Sequence, residues 1–341
     1  MDLDQRRARR EARKRELGRR RARGLAAVAA LVAAVVAVLA VVVLGSGGGG
    51  SAGSTKSASP SATGSGRATT SGSHGGRIGN GASGTGVAGQ IVTPAQAARR
   101  VSGGASVPIL MYHVINPPPA GAKFPGLYVS KEEFAEQVQA LAKAGYRAVT
   151  MDQMLANWTH GTPLPSGEPI VLSFDNGYQS QLSNAMPVLR EEGWVGVENI
   201  QLTGLPPSQG GLSRAQVAEL VADGWELDTQ GISHADLIAL SPSALREQVV
   251  VAREELQRRY RVPVNWFCYP SGHYNAAVIA EVKAAGYVGS TTVVPGWASP
   301  EGDSYRLPRL RVLGGTSGQQ LVSEVQAIRS NPVPPASYNG A

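Results

Sequence analysis

Between residues 107 and 330, short apolar runs alternate with stretches whose apolar residues recur every three or four positions, and this alternation constrains the fold more than any other feature. Strands are predicted at 107–112, 147–150, 169–174, 195–202, 225–229, 264–269, 287–292 and 309–313. Helices are predicted at 131–144, 182–192, 213–223, 242–260, 275–285 and 319–329. Strand and helix in strict turn imply a parallel sheet, and about seven such units predict an α/β fold closed, or nearly closed, into a barrel. The run IVLSFDNGY shows where chemistry would sit. Its unbroken apolar stretch reads as a buried strand that stops at Asp175-Asn176-Gly177, and α/β enzymes carry their functional side chains at such strand ends. Polar groups recur at other strand ends: Tyr112-His113, Gln230 to His234, and Tyr269-Pro270-Ser271-Gly272.

The chain ahead of this region divides by composition. Residues 1–24 carry eleven basic side chains against four acidic ones, a surplus equal to the +7 of the whole 341-residue protein. The high pI is therefore a property of this tail, and a neutral remainder without a basic stripe argues against nucleic acid as a partner. Residues 25–44 are twenty Leu, Ala and Val without a charge or hydroxyl, long enough to cross a bilayer as one helix. The arginine bias places the amino terminus in the cytoplasm and the rest outside. No good signal-peptide cleavage site follows, so an uncleaved single-pass anchor in the plasma membrane is expected. Residues 45–106, rich in Gly, Ser, Ala and Thr, read as a disordered linker, and 331–341, with several prolines, as a loose tail. The one cysteine, Cys268, permits no disulfide within the chain and reads as a small core residue.

At the strand ends the sequence resembles the polysaccharide deacetylases, the carbohydrate esterase family built on the NodB homology domain. VPILMYHVI, YVSKEEFAEQVQALAKAGYRAVTMDQML, IVLSFDNGY, GWELDTQGISHADL, FCYPSGHYN and YRLPRLRV fall in that family's order and spacing. The resemblance covers residues 107–330 and implies a distorted (β/α) barrel in which a divalent metal, commonly zinc, polarises an N-acetyl carbonyl. By that resemblance Asp175 is the base, His113 the acid and His234 a retained metal ligand, while Asn176 and Gln230 stand where an Asp and a His ligand would be. Tyr269 would offer a backbone N–H to the oxyanion, and Tyr269, Pro270, His273 and Arg309 would contact substrate, a cell-envelope N-acetylated glycan. Two neutral amides lower the formal charge of the ligand triad from −1 to 0, so zinc is expected to be weakly held or absent.

Taken alone, each residue also has a bland reading. Asn176-Gly177 is a good turn, Asp175 could cap a helix, and His113 and His234 could be satisfied structural groups. Glu198, Asn199 and Asp228 add unusual polarity near the barrel mouth. Three functions stay open at this point: an N-acetyl hydrolase with altered metal dependence, a non-catalytic glycan-binding module, and an envelope scaffold. Oligomeric state and the identity of the glycan are not encoded legibly.

Overall fold

Eight of the predicted strands form, most of them shorter than their apolar runs. They are β1 (Val107–Tyr112), β2 (Tyr146–Ala148), β3 (Glu168–Asp175), β4 (Val197–Ile200), β5 (Glu226–Thr229), β6 (Trp266–Cys268), β7 (Gly289–Thr291) and, last in the chain, β9 (Leu310–Arg311). A ninth, β8 (Trp297–Ala298), was not expected. The computed structural model describes residues 90–340. The basic tail, the apolar run 25–44 and most of the linker lie outside the described residues. Among the described residues no helix is long and apolar enough to cross a membrane.

The sheet runs β7-β6-β5-β4-β3-β1-β8, with β2 paired to the start of β3 and β9 to the end of β1. All pairings are parallel except β1 with β8, where Val107 faces Ala298 and Pro108 faces Trp297. That one antiparallel strand departs from the all-parallel expectation; two residues are too short to leave a periodic signal. Past β7 the chain folds back, with Leu307 bridging Thr291 and Arg309 N–H bonding the Val294 carbonyl, so that the segment leading into β9 carries the curl from β7 round to β1.

Because side chains alternate along a strand, the curled sheet has two faces with separate cores. Leu110, Tyr112, Leu172 and Phe174 point outward under the helices, joined by Phe134, Val138 and Leu141 from the helix Lys131–Lys143. Ile109, Val171, Val197 and Trp266 point inward. Met151, Met154, Leu155 and Trp158, spaced i, i+3, i+4, i+7 on the helix Met151–His160, pack against that inner set. This helix was not among those expected, although its spacing is amphipathic and Thr150 and Gln153 form a capping box at its start. The same Ser/Thr-x-x-Glu/Gln box starts the helices Lys131–Lys143, Arg214–Ala222 and Gly318–Ala327. Each cap satisfies backbone donors that a helix leaves open and contributes about 1 kcal/mol.

Both boundaries of the predicted domain move. Within the expected linker, Pro94–Ala97 forms a short helix capped by Thr93, Ala97 is buried, and the Trp158 indole donates to the Ala105 carbonyl at 2.7 Å. Val92 N–H and the Gln90 carbonyl engage the Asn265 side chain. The tail expected to be loose is held as well: Arg306 donates to the Pro334 carbonyl at 2.8 Å, and Tyr274 and Tyr338 exchange backbone hydrogen bonds of 2.9 Å. Glycine, serine and proline content signalled missing apolar mass at both ends, but backbone groups and a few side chains suffice to anchor them.

Candidate functional site

Asp175 closes β3 on the inward face, in register with Asn199 of β4. It is 2% exposed, and its carboxylate is fully engaged. Arg309 grips it from both sides, Nη1 to Oδ1 at 2.9 Å and Nη2 to Oδ2 at 3.0 Å, while Asn199 Nδ2 donates to Oδ1 at 2.9 Å. Arg309 is itself 1% exposed and further bonded to the Thr292 carbonyl, Ser173 Oγ and Cys268 Sγ. Two parallel charge-assisted bonds in a dry interior make a strong, geometrically fixed pair. Burial pushes the Asp175 carboxyl up, but the charge and hydrogen bonds of Arg309, with His113 and the Asn199 hydrogen bond, together hold the group below the usual carboxylate range. Burial likewise opposes the Arg309 charge, and Asp175 more than offsets it.

The other candidates gather round this pair. His113 follows β1, and Gln181 fastens its carbonyl to that of Asp175, donating 2.9 Å bonds to both. Burial lowers the His113 imidazole to about 4 despite the nearby Asp175 charge, so the ring is neutral at neutral pH. Burial lowers His234 too, again against the pull of Asp175. Asn176, His234 and Ser271 hold positive φ, three of the four non-glycine residues that do so among the described residues. Such conformations concentrate at functional sites, and Asn tolerates them best. Three buried polar atoms here lack any hydrogen-bond partner: His113 Nδ1, Asn176 Oδ1 and Gln230 Oε1. Gln230 spends its amide N–H on Cys268 Sγ at 3.3 Å.

Not every expected residue lines the site. The Tyr269 side chain is buried in the outward core, stacked on Tyr274 at 4.8 Å with its hydroxyl on the Tyr305 carbonyl, so it forms no cleft wall. Its backbone N–H, expected at an oxyanion, is directed at the Thr291 carbonyl at 3.4 Å. Pro270 is buried beside it. Arg309, expected to contact substrate, lies behind Asp175. His273 stays at the rim, its Nδ1 3.1 Å from Asp236 Oδ1. Cys268 is the buried core thiol expected of it, pushed up to about 11 by burial. Glu198 faces outward from β4, buried with both oxygens unpartnered, and burial raises it well above the usual range. Asp228 faces inward and accepts from Trp266 N–H at 2.9 Å, in a group with Glu226 and Asp152 apart from Asp175. The roles of Asn199 and Gln181 had no sequence signal beyond polarity in an apolar setting.

Cavities of about 420 and 410 Å³ flank Trp297, and neither is lined by a residue of this group.

Residues 164–290 match the sequence profile of the polysaccharide deacetylases. YxkH of Bacillus subtilis (strain 168), assigned by name to the same family, is 27% identical over 226 residues, 66% of this chain and 78% of YxkH. The chain carries a polysaccharide deacetylase domain. Solved relatives share the fold of this deacetylase domain. The Streptococcus pyogenes deacetylase PplD, in complex with acetate, superposes with a TM-score of 0.60 at 24% identity over 65% of this chain and 98% of its own. A polysaccharide deacetylase-type structure from Bacillus anthracis gives 0.58 at 26% over 65% and 69%.

Polysaccharide deacetylases are generally metal-dependent, and the donor set of this domain is a poor match for zinc. By the resemblance read from the sequence, the expected ligand positions are Asn176, Gln230 and His234. The amide oxygens of Asn176 and Gln230 have free lone pairs but no charge, and the one carboxylate beside them is already neutralised by Arg309. Zinc is usually held by three groups drawn from His, Cys, Asp and Glu, and one histidine with two neutral amides does not fit it. Among the described residues no three His, Cys, Asp or Glu side chains are grouped to hold a metal ion.

Proposed function

We propose that this deacetylase domain binds N-acetylated cell-envelope glycan without zinc-dependent hydrolysis, and that the span at 25–44 tethers it to the outer side of the plasma membrane. One observation carries the reading: His113 Nδ1, Asn176 Oδ1 and Gln230 Oε1 are buried and unpartnered round a carboxylate already paired by Arg309. Buried acceptors without donors are costly, and a sugar hydroxyl or an acetamido N–H would satisfy them.

Amide hydrolysis asks more of a site. A base must take a proton from water, an acid must protonate the leaving nitrogen, and the carbonyl must be polarised. Asp175 is a weak base because Arg309 stabilises its anion, and neutral His113 has no imidazolium proton to give. The amides of Asn176 and Gln230 supply no electrophile. A second reading rests on the unpartnered Nδ1 of His113, which in the tautomer protonated at Nε2 could serve as the base in a slow, metal-independent hydrolysis.

Titration calorimetry with N-acetylglucosamine oligomers, run beside an acetate assay, tests the proposal. Gln230→Leu and Asn176→Gly remove the acceptors, the latter keeping the positive-φ backbone. Each is expected to weaken binding by about 1–2 kcal/mol, roughly 5- to 30-fold. Unchanged affinity in both variants would sink the reading, and acetate release lost in His113→Ala would favour the second.

A further inference from the structure

The carboxyl-terminal segment does not end at the last helix. From Ser330, whose carbonyl takes the Trp297 N–H, it passes Gly296, where a Cβ would come within 2.4 Å of Pro332, and then Arg306, which holds the Pro334 carbonyl. The Tyr274 hydroxyl donates to the Pro335 carbonyl at 2.8 Å, and the paired backbone bonds of Tyr274 and Tyr338 fix the next turn. The chain thus ends beside the strand-end loop after β6. There the Tyr338 ring lies 6.4 Å from the His273 ring, tilted by 55°. Gly340, at φ +81°, packs so closely on His273 that a Cβ would stand 2.6 Å from Nε2.

His273 is a rim residue of the candidate site. It pairs with Asp236, two positions beyond His234. The last described residues therefore brace the strand-end loop after β6 against the one after β5, through His273 and Asp236.

We infer that residues 331–340 complete one edge of the glycan cleft: Tyr338 and Gly340 hold His273 against Asp236, and the Tyr338–His273 pair takes a pyranose ring adjacent to the acetamido-bearing residue. This rests on the glycan-binding reading above. Tyr338 is half-buried, packed in part against the outward core and pinned through its backbone N–H and carbonyl, so the part of the ring left exposed has little conformational freedom to lose. Arg306 and Tyr274 are positioning residues here, Tyr338 both holds His273 and contacts the sugar, and nothing in this edge performs chemistry.

The test uses full-length protein with Tyr338→Ala, Gly340→Val and a chain ending at residue 337. Affinity for N-acetylglucosamine tetramer and for the single sugar is measured alongside amide hydrogen exchange of residues 233–237 and 271–274. The tetramer is expected to bind about 3- to 10-fold more weakly in Tyr338→Ala, the range for one lost aromatic contact, with the single sugar unaffected. Exchange of both segments is expected to accelerate in the shortened chain and in Gly340→Val. Unchanged exchange overturns the inference, and so does an equal loss for tetramer and single sugar, which would mark the segment as a general brace. A wild-type protein that binds neither sugar fails the glycan reading instead, and the exchange data then decide alone whether the segment holds the His273–Asp236 edge.

Discussion

At the scale of single residues, Arg309 decides what Asp175 can do. A buried pair broken from one side leaves an uncompensated charge, so Asp175→Asn, nearly isosteric, is expected to cost roughly 3–5 kcal/mol of stability in urea unfolding. A loss under 1 kcal/mol would mean the pair is not formed. His113 gives a pH signature. Its folded pKa of about 4 lies below the unfolded 6.5, so the neutral ring's contribution is whole above 6.5 and is lost as pH falls toward 4, by up to roughly 3 kcal/mol. His113→Gln should flatten stability over that window, and an unchanged slope would contradict the buried neutral ring. Asp175, His113 and the amides at 176 and 230 were legible in the sequence because they sit at strand ends in known motifs. The partner of Asp175 was not, since Arg309 is 134 residues away and was expected to contact substrate instead.

At the scale of elements, β5 carries two carboxyl groups on its inward side, facing the helix Met151–His160. Glu226 accepts from Asp152 N–H at 2.9 Å, Asp152 accepts from Asn265 and the Trp266 indole, and Asp228 Oδ2 and Glu226 Oε1 have no partner. Burial first, then the Asp152 charge, raises Asp228 to about 8, and Glu226 is raised as well. Here the folded pKa exceeds the unfolded 3.8, so the stabilisation is whole in acid and is lost as pH rises toward 8. Asp228→Asn keeps the bond from Trp266 N–H and should abolish that alkaline loss in melting experiments; a melting curve that declines as steeply as wild type would refute the assignment. The alternation of strands and helices was readable because each long apolar run must be buried. Three elements were not read: the helix Pro94–Ala97 lay in a stretch of linker composition, β8 is too short to show a period, and the helix Met151–His160 followed its strand so closely that its spacing merged with the apolar run before it. Tyr269 illustrates a further limit, because a motif fixes a residue's place in the chain while strand alternation decides the face it points to.

At the scale of the whole molecule, the proposed function needs a membrane span, a tether and a glycan cleft in one chain. If residues 25–44 cross the membrane with the arginines inside, protease added to intact cells stripped of outer barriers should release the domain, and full protection until lysis would contradict that topology. The central claim is that the cleft has given up zinc chemistry. The most direct measurement is acetate release from N-acetylglucosamine oligomers under saturating zinc, comparing wild type with the double variant Asn176→Asp, Gln230→His and recording bound zinc for each. The account predicts substoichiometric zinc and no release in the wild type, with zinc occupancy raised in the double variant. Stoichiometric zinc and zinc-dependent acetate release by the unaltered protein would contradict it.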